Sequence, residues 1–97
     1  MIVRNIEATV IVASTYEKKD TEGKSIGELS GKLIVLVDAK EDDVKTGEVL
    51  DFFTSKDFEG DVDLLNILNR YDKILIDFAL VDFKDKTTKR LVNFRIP

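Results

Sequence analysis

The chain has 97 residues, a formal net charge of −4, and neither cysteine nor histidine. This length suits one domain with one core, so we treat residues 1–97 as a single domain. Disulfides and thiolate metal sites are excluded, and the usual general base and zinc ligand are missing. We therefore expect a protein that is not an enzyme and needs no metal or cofactor. Neither an apolar run of about 18 residues nor a signal-peptide pattern occurs, so we expect a cytoplasmic protein.

Apolar residues at every second position predict the first strand, because a strand with one buried face has this period. The residues that alternate are Ile6, Ala8, Val10 and Val12. We place strand 1 at about Val3–Tyr16, followed by a polar turn over Glu17–Gly23. Strand 2, at about Ser25–Asp38, is apolar on both faces in its centre. Gly27 and Gly31 indicate a bulge or a sharp bend in it.

The middle of the chain predicts a third strand and one helix. Strand 3 covers about Glu48–Thr54 and follows an acidic loop. Asp61 or Asp63 can cap a short helix that runs to about Arg70. Apolar residues three or four apart give this helix a buried stripe.

Two more strands complete the pattern. Strand 4, at about Lys73–Phe83, alternates cleanly, and strand 5 covers about Arg90–Ile96 after a turn over Asp85–Lys89. One face of strand 4 carries Ile74, Ile76, Phe78 and Leu80, and one face of strand 5 carries Val92, Phe94 and Ile96. The order predicts an all-β fold, a five-stranded barrel of the oligonucleotide/oligosaccharide-binding (OB) type with one short helix between strands 3 and 4. The alternative is another small barrel, or an open sheet with one helix.

Two segments carry a resemblance to a known family. They are Lys24–Asp38 and Lys73–Pro97, the latter a two-stranded ribbon around a basic turn. Their layout resembles the small helix-destabilising, single-stranded-DNA-binding proteins of filamentous phages, and short OB proteins of other phages and mobile elements. The resemblance implies an OB fold and a role in coating single strands during DNA replication or transfer.

Single-strand binding requires cations along the phosphate path and aromatic faces for base stacking. In an OB barrel the surface of strands 2 and 3 is framed by the 1–2 and 4–5 loops. Phe52 and Phe53 are adjacent and must point to opposite faces of strand 3. The candidate nucleic-acid-binding residues are Tyr16, Lys18, Lys19, Lys24, Lys32, Phe53, Phe83, Lys84, Lys86, Lys89 and Arg90. The alternative for the loop lysines is that they only keep exposed turns soluble.

Charge is distributed unevenly along the chain. Residues 38–63 carry three basic and ten acidic side chains, whereas residues 64–97 carry seven basic and four acidic ones. Asp38, Glu41, Asp42 and Asp43 resemble a calcium loop in composition but lack its spacing, so we expect a solvated acidic loop. The block 38–63 could also dock a basic protein partner. An acidic interaction module or accessory subunit, including an inhibitor that mimics nucleic acid, is the alternative function, and a small-ligand OB protein is a third.

The predicted ribbon of strands 4 and 5 also suggests an assembly. It carries large apolar side chains on both faces, among them Leu75, Val81 and Leu91. A single domain has one hydrophobic core and can bury only one face of the ribbon, so the second apolar face predicts a homodimer.

Overall fold

The computed structural model describes residues 1–39, 44–54 and 58–97, and only the backbone of Ser25, Ile26 and Phe83. Five strands and one 3-10 helix occur in these ranges. The strands are β1 (Ile2–Lys19), β2 (Ser25–Val37), β3 (Val49–Phe53), β4 (Lys73–Phe83) and β5 (Lys86–Arg95), and the helix is Val62–Ile67. The predicted order and the position of the helix between β3 and β4 are confirmed.

The strands form one antiparallel sheet with the order β3-β2-β1-β4-β5. Its two edge strands approach each other and nearly close the barrel. At this seam Lys89 Nζ lies 3.6 Å from Glu48 Oε1. Farther along, the Glu59 N–H donates to the Val92 carbonyl at 2.7 Å. The fold is therefore an all-β, five-stranded barrel of the OB type, as predicted.

The inner face of the barrel follows the alternation seen in the sequence. Ile6, Ala8 and Val10 of β1 are buried. So are the inward residues of the other strands, among them Leu33, Val35, Val37, Leu50, Phe52, Ile74, Ile76 and Phe78. Val12 is only half-buried because β1 has an irregularity between Val10 and Val12. Phe52 therefore belongs to the core and Phe53 points outward.

The 3-10 helix closes one end of the barrel. Asp61 caps it by accepting a hydrogen bond from the Asp63 N–H, and the helix ends at Ile67, short of the predicted Arg70. Leu65 is fully buried against Gly31 of β2, where a Cβ atom would overlap its Cδ1. Gly31 is thus needed for close packing, whereas Gly27, with a φ of 76°, lies in the irregularity that we predicted for this strand.

The last hairpin differs from its predicted form. The turn consists of Lys84 and Asp85, both with positive φ, and the strand begins at Lys86 instead of Arg90. Positive φ at two successive residues is what a tight two-residue hairpin requires. A second difference arises at Val92, where a bulge changes the alternation of β5. As a result Leu91 is buried along with Val92 and Phe94. Ile96, predicted to share a face with Val92 and Phe94, lies beyond the end of β5 and is 58% exposed.

Bulges in both neighbouring strands flank Asp77 of β4, whose side chain is buried. Its carboxylate accepts two hydrogen bonds of 3.0 Å from Arg95, one of 2.8 Å from the Asn5 N–H, and one from Arg4. Burial raises the pKa of Asp77, but these hydrogen bonds and the two positive charges outweigh it and hold the pKa below its ordinary value. This cluster fastens β1 and β5 to β4.

No helix in the described part of the chain is long and apolar enough to cross a membrane.

Candidate nucleic-acid interface

The outer surface of β1, β2 and β3 brings an aromatic residue and a lysine together. Lys32 of β2 lies opposite Phe53 of β3, and Tyr16 of β1 lies opposite Ser30, two residues along β2. Phe53 is 55% exposed and Tyr16 is 44% exposed. We call the outer surface that carries Tyr16, Lys32, Asp51 and Phe53 the aromatic face. Of the two adjacent phenylalanines the sequence analysis selected Phe53 as the candidate, and the register with β2 places Phe53 outward and Phe52 in the core.

Lys32 and Phe53 form a cation–π contact. The Lys32 ammonium lies 5.3 Å from the centre of the Phe53 ring. Such a contact at an exposed site is worth about 0.5–1 kcal/mol, so it orients both side chains without holding them rigidly. The arrangement presents a π surface and a positive charge within one site, which are the two elements that base stacking and phosphate binding require.

Three of the predicted lysines, Lys18, Lys19 and Lys24, lie at one end of the aromatic face, and all three are exposed. Lys18 and Lys19 belong to the end of β1, which extends beyond the predicted Tyr16, and only Lys24 lies in the β1–β2 loop. Asp20 fixes the loop, because its Oδ1 accepts hydrogen bonds of 2.9 Å from the N–H groups of Glu22 and Lys24. The Asp20 N–H in turn donates to the Lys24 carbonyl at 2.8 Å. The loop that follows Lys18 and Lys19 and carries Lys24 is therefore ordered by its own hydrogen bonds.

The second group of predicted cations is arranged differently from our expectation. Lys84 alone occupies the β4–β5 turn, and Lys86, Lys89 and Arg90 lie in β5. The Lys89 side chain is only 27% exposed, and its ammonium is paired with Glu48 at the barrel seam. Lys89 thus contributes to closing the barrel. The side chain of Phe83 lies outside the described residues.

Two carboxylates at this surface escaped the sequence prediction. Asp51 is exposed on β3 and pairs with Ile34, so it shares the outer side with Phe53. Glu28 of β2 lies 3.9 Å from the Lys18 ammonium. The alternation of β2 and β3 contains the signal, since Glu28 has the parity of Lys32 and Asp51 the parity of Phe53.

The acidic block is partly engaged within the chain. Asp38 accepts hydrogen bonds from Thr9 at 2.7 Å and from the Lys73 ammonium at 3.2 Å. Glu48 is paired at the seam and Asp61 caps the helix. Glu41, Asp42 and Asp43 lie outside the described residues. Within the described ranges, no group of three or more potential ligands is placed to hold a metal ion.

A shallow pocket of about 440 Å³ lies beside the Asp38–Lys73 pair, away from the aromatic face. Its lining residues are Glu7, Ala8, Asp38, Lys73, Ile74, Leu75 and Pro97. The ammonium in the pocket is already bonded to Asp38 and Thr9. This pocket therefore has a less available cation for a ligand than the aromatic face has.

Comparison with protein-family models, with curated proteins and with solved structures gives no match for this chain. The functional argument therefore depends on the geometry of the chain itself.

Proposed function

We propose that the protein binds single-stranded nucleic acid, most favourably DNA, on the aromatic face and without catalysing a reaction. The observation that carries the proposal is the half-exposed ring of Phe53 with the Lys32 ammonium above it at 5.3 Å. A base that stacks on this ring takes the place of the ammonium. The ammonium then remains close enough to contact the adjoining phosphate.

The spacing of the two aromatic residues favours an extended strand. Tyr16 and Phe53 lie two strands apart and are offset by two residues along β2. Strand geometry then separates their Cα atoms by about 12 Å. Neighbouring bases stacked on each other are only about 3.4 Å apart. Both aromatic residues can therefore be used together only by a strand whose bases are unstacked from one another, which is a feature of single strands.

The charge distribution supports a path for the phosphates despite the negative total. Lys18, Lys19 and Lys24 are exposed at one end of the aromatic face. Residues 64–97 carry three more positive than negative charges and include Lys84, Lys86 and Arg90. A surface with one basic side can attract a polyanion even when the whole molecule is acidic.

The resemblance to phage helix-destabilising proteins supports a role in coating unwound DNA during replication or transfer. The apolar β4–β5 ribbon is the ground for proposing a homodimer, and we also propose that the protein acts in the cytoplasm. Leu91 no longer supports the dimer, because it is buried within the barrel. Leu75 and Val81 are partly buried and remain on the list of interface candidates.

The proposal is tested by titrating the protein into fluorescently labelled oligo-dT and oligo-rU at several salt concentrations. We expect weak to moderate affinity, little sequence preference and a marked decrease in affinity with salt, because lysine–phosphate contacts release counterions. Absence of binding to both oligomers at low salt would exclude the proposal. In that case an acidic protein-interaction module would be the better account of this chain.

A further inference from the structure

One ion pair lies where a bound strand would leave the aromatic face. The Lys18 ammonium and the Glu28 carboxylate are 3.9 Å apart, and their side chains are 47% and 66% exposed. Lys18 follows Tyr16 by two residues on β1, and Glu28 precedes Ser30, the partner of Tyr16, by two residues on β2, so the pair adjoins the aromatic face at Tyr16. A cation of the proposed interface is therefore already in contact with a carboxylate of the same surface.

An exposed pair of this kind is easily displaced. Lysine–carboxylate pairs at the surface contribute about 0.2–1 kcal/mol at most positions. A phosphate oxygen offers the lysine the same kind of charge-assisted hydrogen bond as a carboxylate oxygen. The phosphate and the Glu28 carboxylate therefore compete for the Lys18 ammonium with similar binding energies. The phosphate can bind only when the carboxylate is released.

We propose that Glu28 limits the affinity of the aromatic face for single strands by occupying the phosphate position beside Lys18. This inference rests on the proposed function. Glu28 acts as an internal competitor, since its carboxylate must leave Lys18 before a phosphate can reach it. A second carboxylate, Asp51, lies near Phe53 on the same face. It repels the phosphates of the strand by its charge, whereas Glu28 also holds a lysine that a phosphate would bind.

The other lysine–carboxylate pairs described above have different positions. The Lys89–Glu48 pair bridges the barrel seam, and its side chains are 27% and 33% exposed. The Lys73–Asp38 pair lies beside the pocket at β1 and β4 and is tied to Thr9. Both pairs join segments that are distant in sequence, whereas Lys18 and Glu28 lie in the neighbouring ends of β1 and β2, in one exposed hairpin. Release of Glu28 therefore disturbs no packing.

The proposal predicts a gain of affinity, which a misfolded variant cannot imitate. Glu28→Gln keeps the shape of the side chain and removes its charge. We expect the affinity for oligo-dT to increase about 1.5- to 5-fold, the range that corresponds to an exposed pair. We also expect the slope of log affinity against log salt concentration to steepen by at most about 0.7. In the wild type, the displaced Glu28 carboxylate takes up a salt cation, which offsets the cation released from the phosphate. In Glu28→Gln this uptake is absent.

The experiment compares wild type, Glu28→Gln, Lys18→Ala and the double variant by fluorescence anisotropy with labelled oligo-dT. Glu7→Gln is the matched control, because it removes the same charge from an exposed position of β1 opposite Leu75, outside the aromatic face. The gain from Glu28→Gln should exceed that of the control and should disappear when Lys18 is replaced.

Each result decides the matter. A gain no larger than that of Glu7→Gln, or one that persists without Lys18, overturns the inference and leaves the proposed function intact. If none of the proteins binds at low salt, the inference and the proposed function fall together. Circular dichroism of each variant verifies that the barrel is folded.

Discussion

Replacement of Phe53 by Ala tests the aromatic face most directly, because it removes the stacking surface and leaves every charge in place. Aromatic stacking contributes about 1–3 kcal/mol per base by alanine substitution, so the affinity should decrease about 5- to 150-fold. The log–log salt slope should be unchanged, since no phosphate contact is lost. A lysine substitution would have the opposite signature, with a clear change of slope.

The effect on stability is separable from the effect on binding. Since Phe53 is 55% exposed, less than half of its surface leaves solvent on folding. At about 25 cal/mol per Å², the lost burial costs at most about 2 kcal/mol. Phe52 is the matched control, because it is adjacent in sequence but only 2% exposed. Its replacement by Ala should lower the free energy of unfolding by about 3–5 kcal/mol.

The assay combines two measurements on the same samples. Anisotropy of labelled oligo-dT at four or more salt concentrations gives the affinity and the slope, and urea unfolding gives the stability. A folded Phe53→Ala protein that binds as tightly as wild type would refute the stacking role of this face. A loss of affinity accompanied by a flattened slope would show instead that the substitution had displaced Lys32.

Four further expectations concern charge, packing and assembly. Replacing Lys84 and Lys86 together by Ala should flatten the salt slope of oligo-dT binding by about 1.4 if both contact phosphate, and an unchanged slope would remove the β4–β5 hairpin from the interface. Asp77→Asn should lower the free energy of unfolding by about 1.5–3 kcal/mol in urea titrations, because charge-assisted hydrogen bonds are lost. The native pKa of Asp77 is lowered from its ordinary value, so the stability that this carboxylate contributes is complete above the unfolded-state pKa and is lost as the pH falls through the native pKa. Asp77→Asn should therefore flatten the acid side of the stability profile, and an unaltered profile would contradict this. Gly31→Ala should lower the free energy of unfolding by about 1–3 kcal/mol in the same titrations. Its effect should be smaller in a protein that also carries Leu65→Ala, because the overlap is then removed; strictly additive effects would contradict this contact. Sedimentation should show a dimer at tens of micromolar, and a monomer at that concentration would count against the ribbon interface.

Much of the barrel is predictable because its strands obey a simple period. Ile74, Ile76 and Phe78 of β4 follow this period and are buried, and the predicted bounds of β4 agree with the structure. Turns and bulges were harder to predict from the sequence. In the two-residue turn only Asp85 is of a type that favours positive φ, and Lys84 is not, so the sequence signal for this turn was weak. The bulge at Val92 depends on pairing with β4, which local sequence does not reveal.

The candidate site was predictable in residue type and not in pairing. The sequence placed a phenylalanine on each side of β3, and the register with Leu33 and Lys32 then decided which one is exposed. The partners of Asp77 lie 73 and 18 residues away along the chain, so its burial could not be inferred from alternation alone. The same applies to Lys89, whose partner Glu48 belongs to another hairpin.

The central place of β1 in the sheet has a consequence for the order of folding. β1 pairs with β2 immediately after it, but its other edge pairs with β4, where Ile2 meets Ala79. During synthesis this edge of β1 remains unpaired until more than half of the chain has been made. Its N–H and C=O groups can meanwhile pair with other strands. Pairings of such long sequence separation also slow folding. We therefore expect the β1–β2 hairpin to form early, and the nascent chain to be most prone to aggregation until β4 docks.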